Sequence, residues 1–325
     1  MLFKNIAEIK TFLPIGAGND FNRLKPHIEN AENKYVKPLL GTAMYDELQE
    51  FYDTEYPDNP SEAQEDTNAL LKKVQHSLIH LVYFSGFDFL NVTVSDAGFN
   101  RTESNTMKGL FKYQEDNIKK YFSDAGFNGL DDVLIFLEEN IAHFGEFKLA
   151  DNWTVLKQSF LPTVKVVEEI PFNIHSSRLI FLALKPGVAF IEDTIIRKTL
   201  GETIYAEIKT EMEKDEPAEK VTAVLPYIRK PLIYFASAHL MEETGAELGD
   251  KGLFFEKLDP VFRGNLKREP SSEQRIAAMV TRNHNVGNSY LEALKSYLDL
   301  NWETYSGQTG SVFNRDNTGK KTFWA

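Results

Sequence analysis

Apolar residues recur at helical spacing along most of the chain and define three predicted helices in its first third. The first is predicted to begin near Lys25, with Pro26 in its first turn, and to end before Gly41, because glycine takes a positive φ without strain. The second runs on directly after this glycine. The third begins at 61–64, "SEAQ", which has the spacing of a capping box. The second helix presents Met44, Tyr45, Leu48, Phe51 and Tyr52 on one face, and the third presents Leu70, Leu71, Val74, Leu78, Leu81 and Val82. The density of this last stripe predicts a buried central helix.

The same pattern returns 160 residues later. Without gaps, 24–48 aligns with 184–208 and gives eight identities in 25 positions, where background composition gives roughly one or two. The identical residues are Leu24, Lys25, Pro26, Glu32, Leu40, Gly41, Tyr45 and Glu47, which meet Leu184, Lys185, Pro186, Glu192, Leu200, Gly201, Tyr205 and Glu207. Beyond them the register shifts by six, so that Val74 meets Ile228 and Leu78 meets Leu232. The repeat predicts that one helical unit was duplicated.

The rest of each unit is predicted from turn residues and breaks in periodicity. Asp-x-Gly follows a short apolar run in "NVTVSDAGFNR" (91–101) and in "AELGDKGLF" (246–254), which predicts a small β-hairpin arm in each unit. Two further helices are expected to close each unit, over 104–122 with 131–144 and over 272–284 with 289–305. Asp131 and Asp132 are assigned to a helix start. The long helix of the second unit, 217–244, carries Pro226 and Pro231, which predicts a kink or a break.

These elements predict a mainly α protein of two tandem, internally duplicated helical units. The predicted boundaries are an N-terminal helical unit over 1–145, an extended linker over 146–183, a C-terminal helical unit over 184–305 and a flexible tail over 306–325. The linker assignment rests on the β-branched, proline-marked stretch 160–174, and the tail assignment on its content of Gly, Ser, Thr and Asn. Phe313, Phe323 and Trp324 in the tail predict that it docks on a partner or on another copy, and folding back onto its own chain stays open as the alternative.

Composition narrows the possible functions. The 325 residues contain 48 acidic and 36 basic side chains, a formal net charge of -12, which argues against non-specific nucleic-acid binding. The absence of cysteine excludes disulfides, thiol nucleophiles and cysteine-based metal sites. The longest apolar runs are far shorter than the roughly 18 residues of a membrane span. We therefore expect a soluble cytoplasmic protein, with no membrane contact and no specific nucleic-acid contact.

Three motifs were weighed as candidate chemistry. His76 and His80 have the i, i+4 spacing of two metal ligands, but "HSLIH" lacks the glutamate of the zinc-protease motif, so packing is the favoured interpretation. "GAGND" (16–20) begins like a nucleotide fingerprint but lacks the preceding strand, and Phe21 stands where the third glycine belongs, which favours a loop. Four adjacent acidic pairs are predicted to be solvated, because neighbouring helical residues diverge: Asp131–Asp132, Glu138–Glu139, Glu168–Glu169 and Glu242–Glu243. No residue is assigned a catalytic, cofactor-binding or metal-binding role, and no cofactor is expected.

Three phrases carry a resemblance: "AENKYVKPLLGTAMYDEL", "VTVSDAGFNR" and "SSRLIFLALKPG". Over roughly 5–300 the chain resembles an uncharacterised family encoded in prophage-like regions of gut Bacteroidetes. Each half also resembles the helical head–tail connector (adaptor) proteins of tailed phages. That resemblance implies a ring-forming structural protein with no active site, although the duplication leaves the ring stoichiometry open.

The sequence thus favours a non-enzymatic phage or prophage structural or assembly protein. Its partners would be copies of itself or phage structural proteins, and it would be located in the host cytoplasm or in a virion. Two alternatives stay open. One is an enzyme with its site in the cleft between the two units. The other is a peptide- or glycan-binding module that uses the chain's aromatic residues, which make up 12% of its composition.

Overall fold

The fold is known from a computed structural model, which describes most of the chain. The described residues are 1–14, 20–54, 56–90, 92–95, 98–100, 110–150, 159–174, 177–214, 216–244, 257–258, 266–267, 273–303 and 305. The predicted tail, with Phe313, Phe323 and Trp324, and the first four residues of the "GAGND" stretch lie outside them.

The first unit is a set of helices packed around one long central helix. Its helices are α1 (Ile6–Ile9), α2 (Phe21–Ala31), α3 (Lys37–Leu40), α4 (Thr42–Asp53), α5 (Glu62–Leu90), α6 (Lys112–Glu139) and α7 (Gly145–Leu149). A π-helical turn, Glu32–Val36, joins α2 to α3, and a 3-10 turn, Ile141–His143, precedes α7. The predicted capping box of α5 is confirmed, because Ser61 N donates to Gln64 Oε1 at 2.9 Å and Gln64 N donates to Ser61 Oγ at 3.3 Å.

The second unit repeats this order. Its helices are α8 (Val164–Glu168), α9 (Arg178–Ile191), α10 (Arg197–Leu200), α11 (Glu202–Met212), α12 (Glu219–Thr244) and α13 (Glu273–Asn301), with a π-helical turn at Glu192–Ile196. Each unit has its own hydrophobic core, and the prediction of two tandem helical units is confirmed. None of the helices in the described ranges has a stretch long and apolar enough to cross a bilayer.

The boundary of the second unit lies earlier than predicted. Phe160, Val164 and Ile174 are buried in the second core, so the unit already includes residues 159–174. An extended linker over 146–183 is therefore wrong, since most of α7, all of α8 and the first turns of α9 fall within it. The valines that suggested extended chain, Val164, Val166 and Val167, belong instead to a short capped helix with Thr163 as its N-cap, and Pro162 and Pro171 lie outside it on either side.

The first helix of each unit also begins earlier than predicted. Asp20 caps α2 by accepting from Asn22 N, and Ser177 caps α9 by accepting from Ile180 N. Pro26 and Pro186 therefore lie inside these helices. The predicted positive φ is confirmed at Gly41 (82°) and at Gly201 (75°). Their ψ is near 156°, so both glycines lie in an extended region that is essentially limited to glycine, and not in a left-handed helical cap.

The closing helices are single and long, so the predicted pairs of shorter helices are wrong. Glycines lie between the predicted pairs, and in the structure they allow close helix crossing. A Cβ added at Gly126 would lie 2.7 Å from the Leu81 side chain, and one added at Gly287 would lie 2.8 Å from the Phe235 ring. The predicted break in 217–244 is wrong too, because α12 runs continuously past Pro226 and Pro231.

A short antiparallel strand pair lies where the first arm was predicted, whereas the strands of the second unit follow the predicted stretch 246–254, which lies outside the described residues. Thr93–Ser95 (β1) pairs with Gly98–Asn100 (β2), and Lys257–Leu258 (β3) pairs with Leu266–Lys267 (β4). The residues that connect the strands lie outside the described part of the chain, so a protruding arm stays a prediction.

Candidate functional site

A cleft of about 990 Å³ opens in the second unit between residues 159–162 and the helices α9, α11 and α12. Its walls combine apolar side chains with four cations and two carboxylates. The apolar lining includes Leu161, Pro162, Phe181, Val188, Met212 and Leu225; the charged lining is Lys185, Lys209, Lys214, Arg229, Glu192 and Glu213. The cleft is thus net positive within a chain of net charge -12.

The π-helical turn aims the carboxylate of Glu192 at the floor of the cleft, and this side chain is only 8% exposed. Its Oε1 accepts the backbone N–H of Phe160 at 2.6 Å and the hydroxyl of Ser159 at 2.8 Å. Its Oε2 pairs with Lys209 Nζ at 3.0 Å. These hydrogen bonds and the ion pair compensate the buried negative charge, as a buried charge requires. They also hold residues 159 and 160 in place beside the cleft.

Arg229 holds the same segment from the other side. Its Nε donates to the carbonyl oxygen of Phe160 at 2.9 Å. Burial lowers the pKa of Arg229, although Glu169 acts in the opposite direction. Lys209 Nζ lies 4.0 Å from the centroid of the Phe160 ring, a cation–π contact. Burial, followed by the charge of Glu192, raises the pKa of Tyr205 at the cleft wall.

The first unit has the same scaffold with different charge. Glu32 accepts the backbone N–H of Leu2 at 2.6 Å, and Gln75 donates to the carbonyl oxygen of Leu2 at 2.7 Å. Gln75 and Arg229 thus occupy matching places in the shifted register, and Gln49 matches Lys209. An amide therefore suffices for the structural hydrogen bond, so the fold alone does not require the extra positive charges of the second unit.

A second surface of interest is an apolar face on the outer side of α6. Tyr113, Ile118 and Tyr121 are 49%, 36% and 57% exposed, and Phe111, just before the helix, is 69% exposed. At about 100° per residue these side chains lie roughly opposite the buried face that holds Gly126, Leu130 and Val133. The Phe111 and Tyr113 rings stack with centroids 5.9 Å apart. We call Phe111, Tyr113, Ile118 and Tyr121 the aromatic face.

The second unit shows that this aromatic face is not a requirement of the fold. Gly126 of α6 packs against Leu81, and Gly287 of α13 packs against Phe235, which is the residue equivalent to Leu81 in the second unit. These equivalent contacts align α6 with α13 at a spacing of 161 residues. In that register Tyr113 corresponds to Gln274 and Tyr121 to Arg282, both exposed. Ile118 corresponds to Met279, which packs against buried residues of the second unit, so the described difference between the units lies at the two tyrosines, whose places are polar in the second unit.

The junction between the units is closed by polar contacts. Asp131 lies inside α6, not at its start, and its carboxylate accepts the backbone N–H of Leu179 and the hydroxyl of Ser177, each at 2.8 Å. Arg178 Nε donates to Glu138 at 3.2 Å. The prediction that the pairs Asp131–Asp132 and Glu138–Glu139 are solvated is therefore wrong for Asp131 and Glu138. Their exposed neighbours Asp132 and Glu139 do face solvent.

The two histidines of "HSLIH" differ in environment. His76 is exposed, whereas His80 is buried with its Nδ1 at 2.7 Å from the carbonyl oxygen of His76, and burial lowers its pKa. Across the described ranges, no group of three or more His, Asp and Glu side chains could hold a metal ion.

Sequence reasoning missed both the cleft and the aromatic face. Both could have been found from residues that differ between the two units. Gln49 and Gln75 correspond to the cleft residues Lys209 and Arg229, and Tyr121 of the aromatic face corresponds to Arg282.

The family comparison follows the same duplication. Residues 36–155 and 196–318 each match the model of one family, described as a family of unknown function (DUF6712). The two matches begin at a spacing of 160, as the internal alignment does. No curated protein and no solved structure matches the chain.

Proposed function

We propose that this chain, which belongs to the DUF6712 family, is a non-enzymatic structural protein of a phage or prophage particle with a role like that of head–tail connectors. In this proposal it acts through protein–protein interfaces, and copies of the chain contact one another through the aromatic face. The phage assignment rests on the resemblance of the sequence phrases described above.

The observation that carries the interface proposal is the polarity difference between the two units. Exposed aromatic side chains are favoured anchors at protein interfaces, because they remove a large apolar area from water with little loss of conformational freedom. The second unit keeps the same helix with Gln274 and Arg282 at the matching places, both exposed. The Tyr121 ring also contacts the His80 ring of its own unit, with centroids 5.8 Å apart, whereas the exposed rings of Phe111 and Tyr113 stack on each other. A contact outside the unit is the better explanation for these two rings.

The aromatic face would form the centre of a larger contact. A stable interface buries about 800 Å² on each partner and involves about 20–30 residues a side. Four side chains cannot supply that area alone. The charged residues of the same helix, among them Lys112, Glu115 and Asp116, would then form the polar rim.

The second unit supplies the substitutions for a test. The substitutions are Phe111→Ser, Tyr113→Gln and Tyr121→Arg. Each introduces the residue that lies 161 positions later in the chain. We expect the combined variant to keep its helical circular dichroism and to self-associate at least about tenfold more weakly in sedimentation velocity, since interface anchors contribute more than 1 kcal/mol each.

The matched control replaces apolar side chains that are exposed elsewhere. Leu149 and Leu300 are 71% and 84% exposed. Leu149→Ser with Leu300→Ser should leave the association unchanged. Equal weakening by both variants would show that any exposed apolar residue drives association, and would contradict the proposal.

A further inference from the structure

The first unit carries an acidic surface opposite in sign to the cleft of the second. Residues 38–71 contain nine Asp and Glu and no Lys, Arg or His. Within this stretch, the connection from α4 to α5 presents Tyr56, which is 43% exposed, between the exposed carboxylates of Asp53 and Asp58. Glu62 and Glu65, in the first turn of α5, are exposed as well. We call residues 56–65 the acidic segment.

Crowding of like charge in the adjacent helix is visible at Glu47 of α4. Burial, followed by the charges of Glu146 and Glu50, raises the pKa of the Glu47 carboxyl.

The cleft has the complementary properties. Lys185, Lys209, Lys214 and Arg229 line it against only two carboxylates, and its apolar walls could receive an aromatic ring. Its volume of about 990 Å³ is at the upper end of the range of small-molecule pockets. It is large enough for several side chains of a peptide segment.

The two surfaces lie at equivalent ends of the two units. The acidic segment follows α4 and leads into α5, while the cleft includes the end of α11, the connection after it and the first turns of α12. A contact between them would join the first unit of one copy to the second unit of the next. Such a contact is heterologous, so it repeats from copy to copy and builds a ring or a filament.

We propose that the cleft of the second unit binds the acidic segment of a second copy of this chain, with Tyr56 between the apolar walls and its carboxylates against Lys209, Lys214 and Arg229. This inference rests on the proposed function, because it assigns the partner and the direction of self-assembly. It adds a contact that is separate from the aromatic face.

The test uses two variants that each block one side of the contact. Lys209→Gln with Arg229→Gln places in the cleft the amides that the first unit carries at Gln49 and Gln75, so the hydrogen bond to the Phe160 carbonyl can persist. Lys214→Glu is a second cleft variant at an exposed side chain, which is 56% accessible. Tyr56→Ser with Asp58→Asn and Glu62→Gln blocks the acidic segment. All are made in the full chain with the aromatic face already replaced, so that only the cleft contact remains.

Each blocked variant alone should be monomeric in sedimentation velocity. An equimolar mixture of a cleft-blocked and a segment-blocked chain should form 1:1 pairs that do not grow, because one intact cleft meets one intact segment. Raising the salt concentration should weaken the pairs at least about tenfold, since the exposed charges are screened.

A mixture that stays monomeric would overturn the inference, and so would blocked variants that assemble like their parent. These outcomes are distinct from failure of the proposed function. If replacement of the aromatic face weakens assembly of the otherwise unmodified chain but no pairs form, only the cleft contact is wrong. If pairs form while that replacement has no effect, the aromatic face is wrong.

Discussion

The carboxylate of Asp131, in the C-terminal third of α6, accepts the backbone N–H of Leu179 in the first turn of α9 at 2.8 Å. The first unit thereby satisfies a donor at the start of the helix that opens the main body of the second unit. The first N–H groups of a helix have no partner within it, so a carboxylate placed there acts as a cap supplied from another unit. This contact fixes the two units against each other.

Removal of this carboxylate should destabilise the junction. We expect Asp131→Ala to lower the free energy of unfolding by about 1–2 kcal/mol, because it leaves the Leu179 N–H and the Ser177 hydroxyl without their acceptor. Asp132→Ala is the matched control, since Asp132 is adjacent and exposed. Urea denaturation measures both. Equal effects of the two substitutions would show that Asp131 is not a structural cap.

The junction should also give the stability a defined pH dependence. Burial raises the pKa of Asp131 and of Glu138, although hydrogen bonds from Leu179 and Ser177 and the charge of Arg178 oppose it. The folded state therefore holds these protons more tightly than the unfolded chain. The contribution of the two carboxyls to stability decreases as the pH rises from about 4, the ordinary carboxyl value, through the raised pKa.

Asp131→Asn with Glu138→Gln removes both titrations. The free energy of unfolding of the unmodified chain minus that of the variant should fall across this pH window and stay constant above it. A difference that grows with rising pH would mean that hydrogen bonding outweighs burial at these carboxyls.

Gly41 and Gly201 offer a comparison of backbone strain with and without steric contact. Both have a φ and ψ that only glycine takes readily, but a Cβ at Gly41 would lie 3.2 Å from the Cβ of Ala150, whereas none of the described atoms lies within 4 Å of one at Gly201. Gly201→Ala should cost about 1–3 kcal/mol from backbone strain alone, and Gly41→Ala should cost more. Chemical denaturation of each variant gives the two values. A neutral effect at Gly201 would show that this turn relaxes to an ordinary conformation.

The glycines of α6 should be needed for close packing and not for flexibility. A Cβ at Gly129 would lie 2.9 Å from Ser77 Cβ and 3.1 Å from its Cα, so the two helices would have to separate. We expect Gly129→Ala to lower the free energy of unfolding by about 1–3 kcal/mol, as overpacking does. Gly145→Ala, where no described atom lies within 4 Å, should be neutral or stabilising. A stabilising Gly129→Ala would contradict the close crossing.

The duplicated architecture was predictable because the pattern that carries it is local. Helical spacing, Gly41 with Gly201 and the capping box at Ser61 each depend on near neighbours in the chain. The lengths of α6 and α13 were not predictable in this way. Gly126 and Gly287 signal a helix end in isolation, and only the contacts with Leu81 and Phe235 show that they serve helix crossing.

The start of the second unit was also not predictable from local sequence, because long-range contacts determine it. Phe160 belongs to it because Glu192 and Arg229 bind its backbone N–H and carbonyl groups, and neither residue is near it in sequence. The cleft was hidden for the same reason, since its walls come from four separate segments. The charge differences that mark it were present in the sequence, but the matching of Gln75 with Arg229 carries weight only once both are seen to bind equivalent carbonyl groups.

The central claim is that the chain works by assembling with copies of itself, and sedimentation velocity of the unmodified full chain over a wide concentration range tests it most directly. The account predicts that the weight-average mass rises with concentration toward multiples of the chain mass, and that replacement of Phe111, Tyr113 and Tyr121 by Ser, Gln and Arg shifts this rise to higher concentration. A chain that sediments as a monomer at every concentration would contradict it.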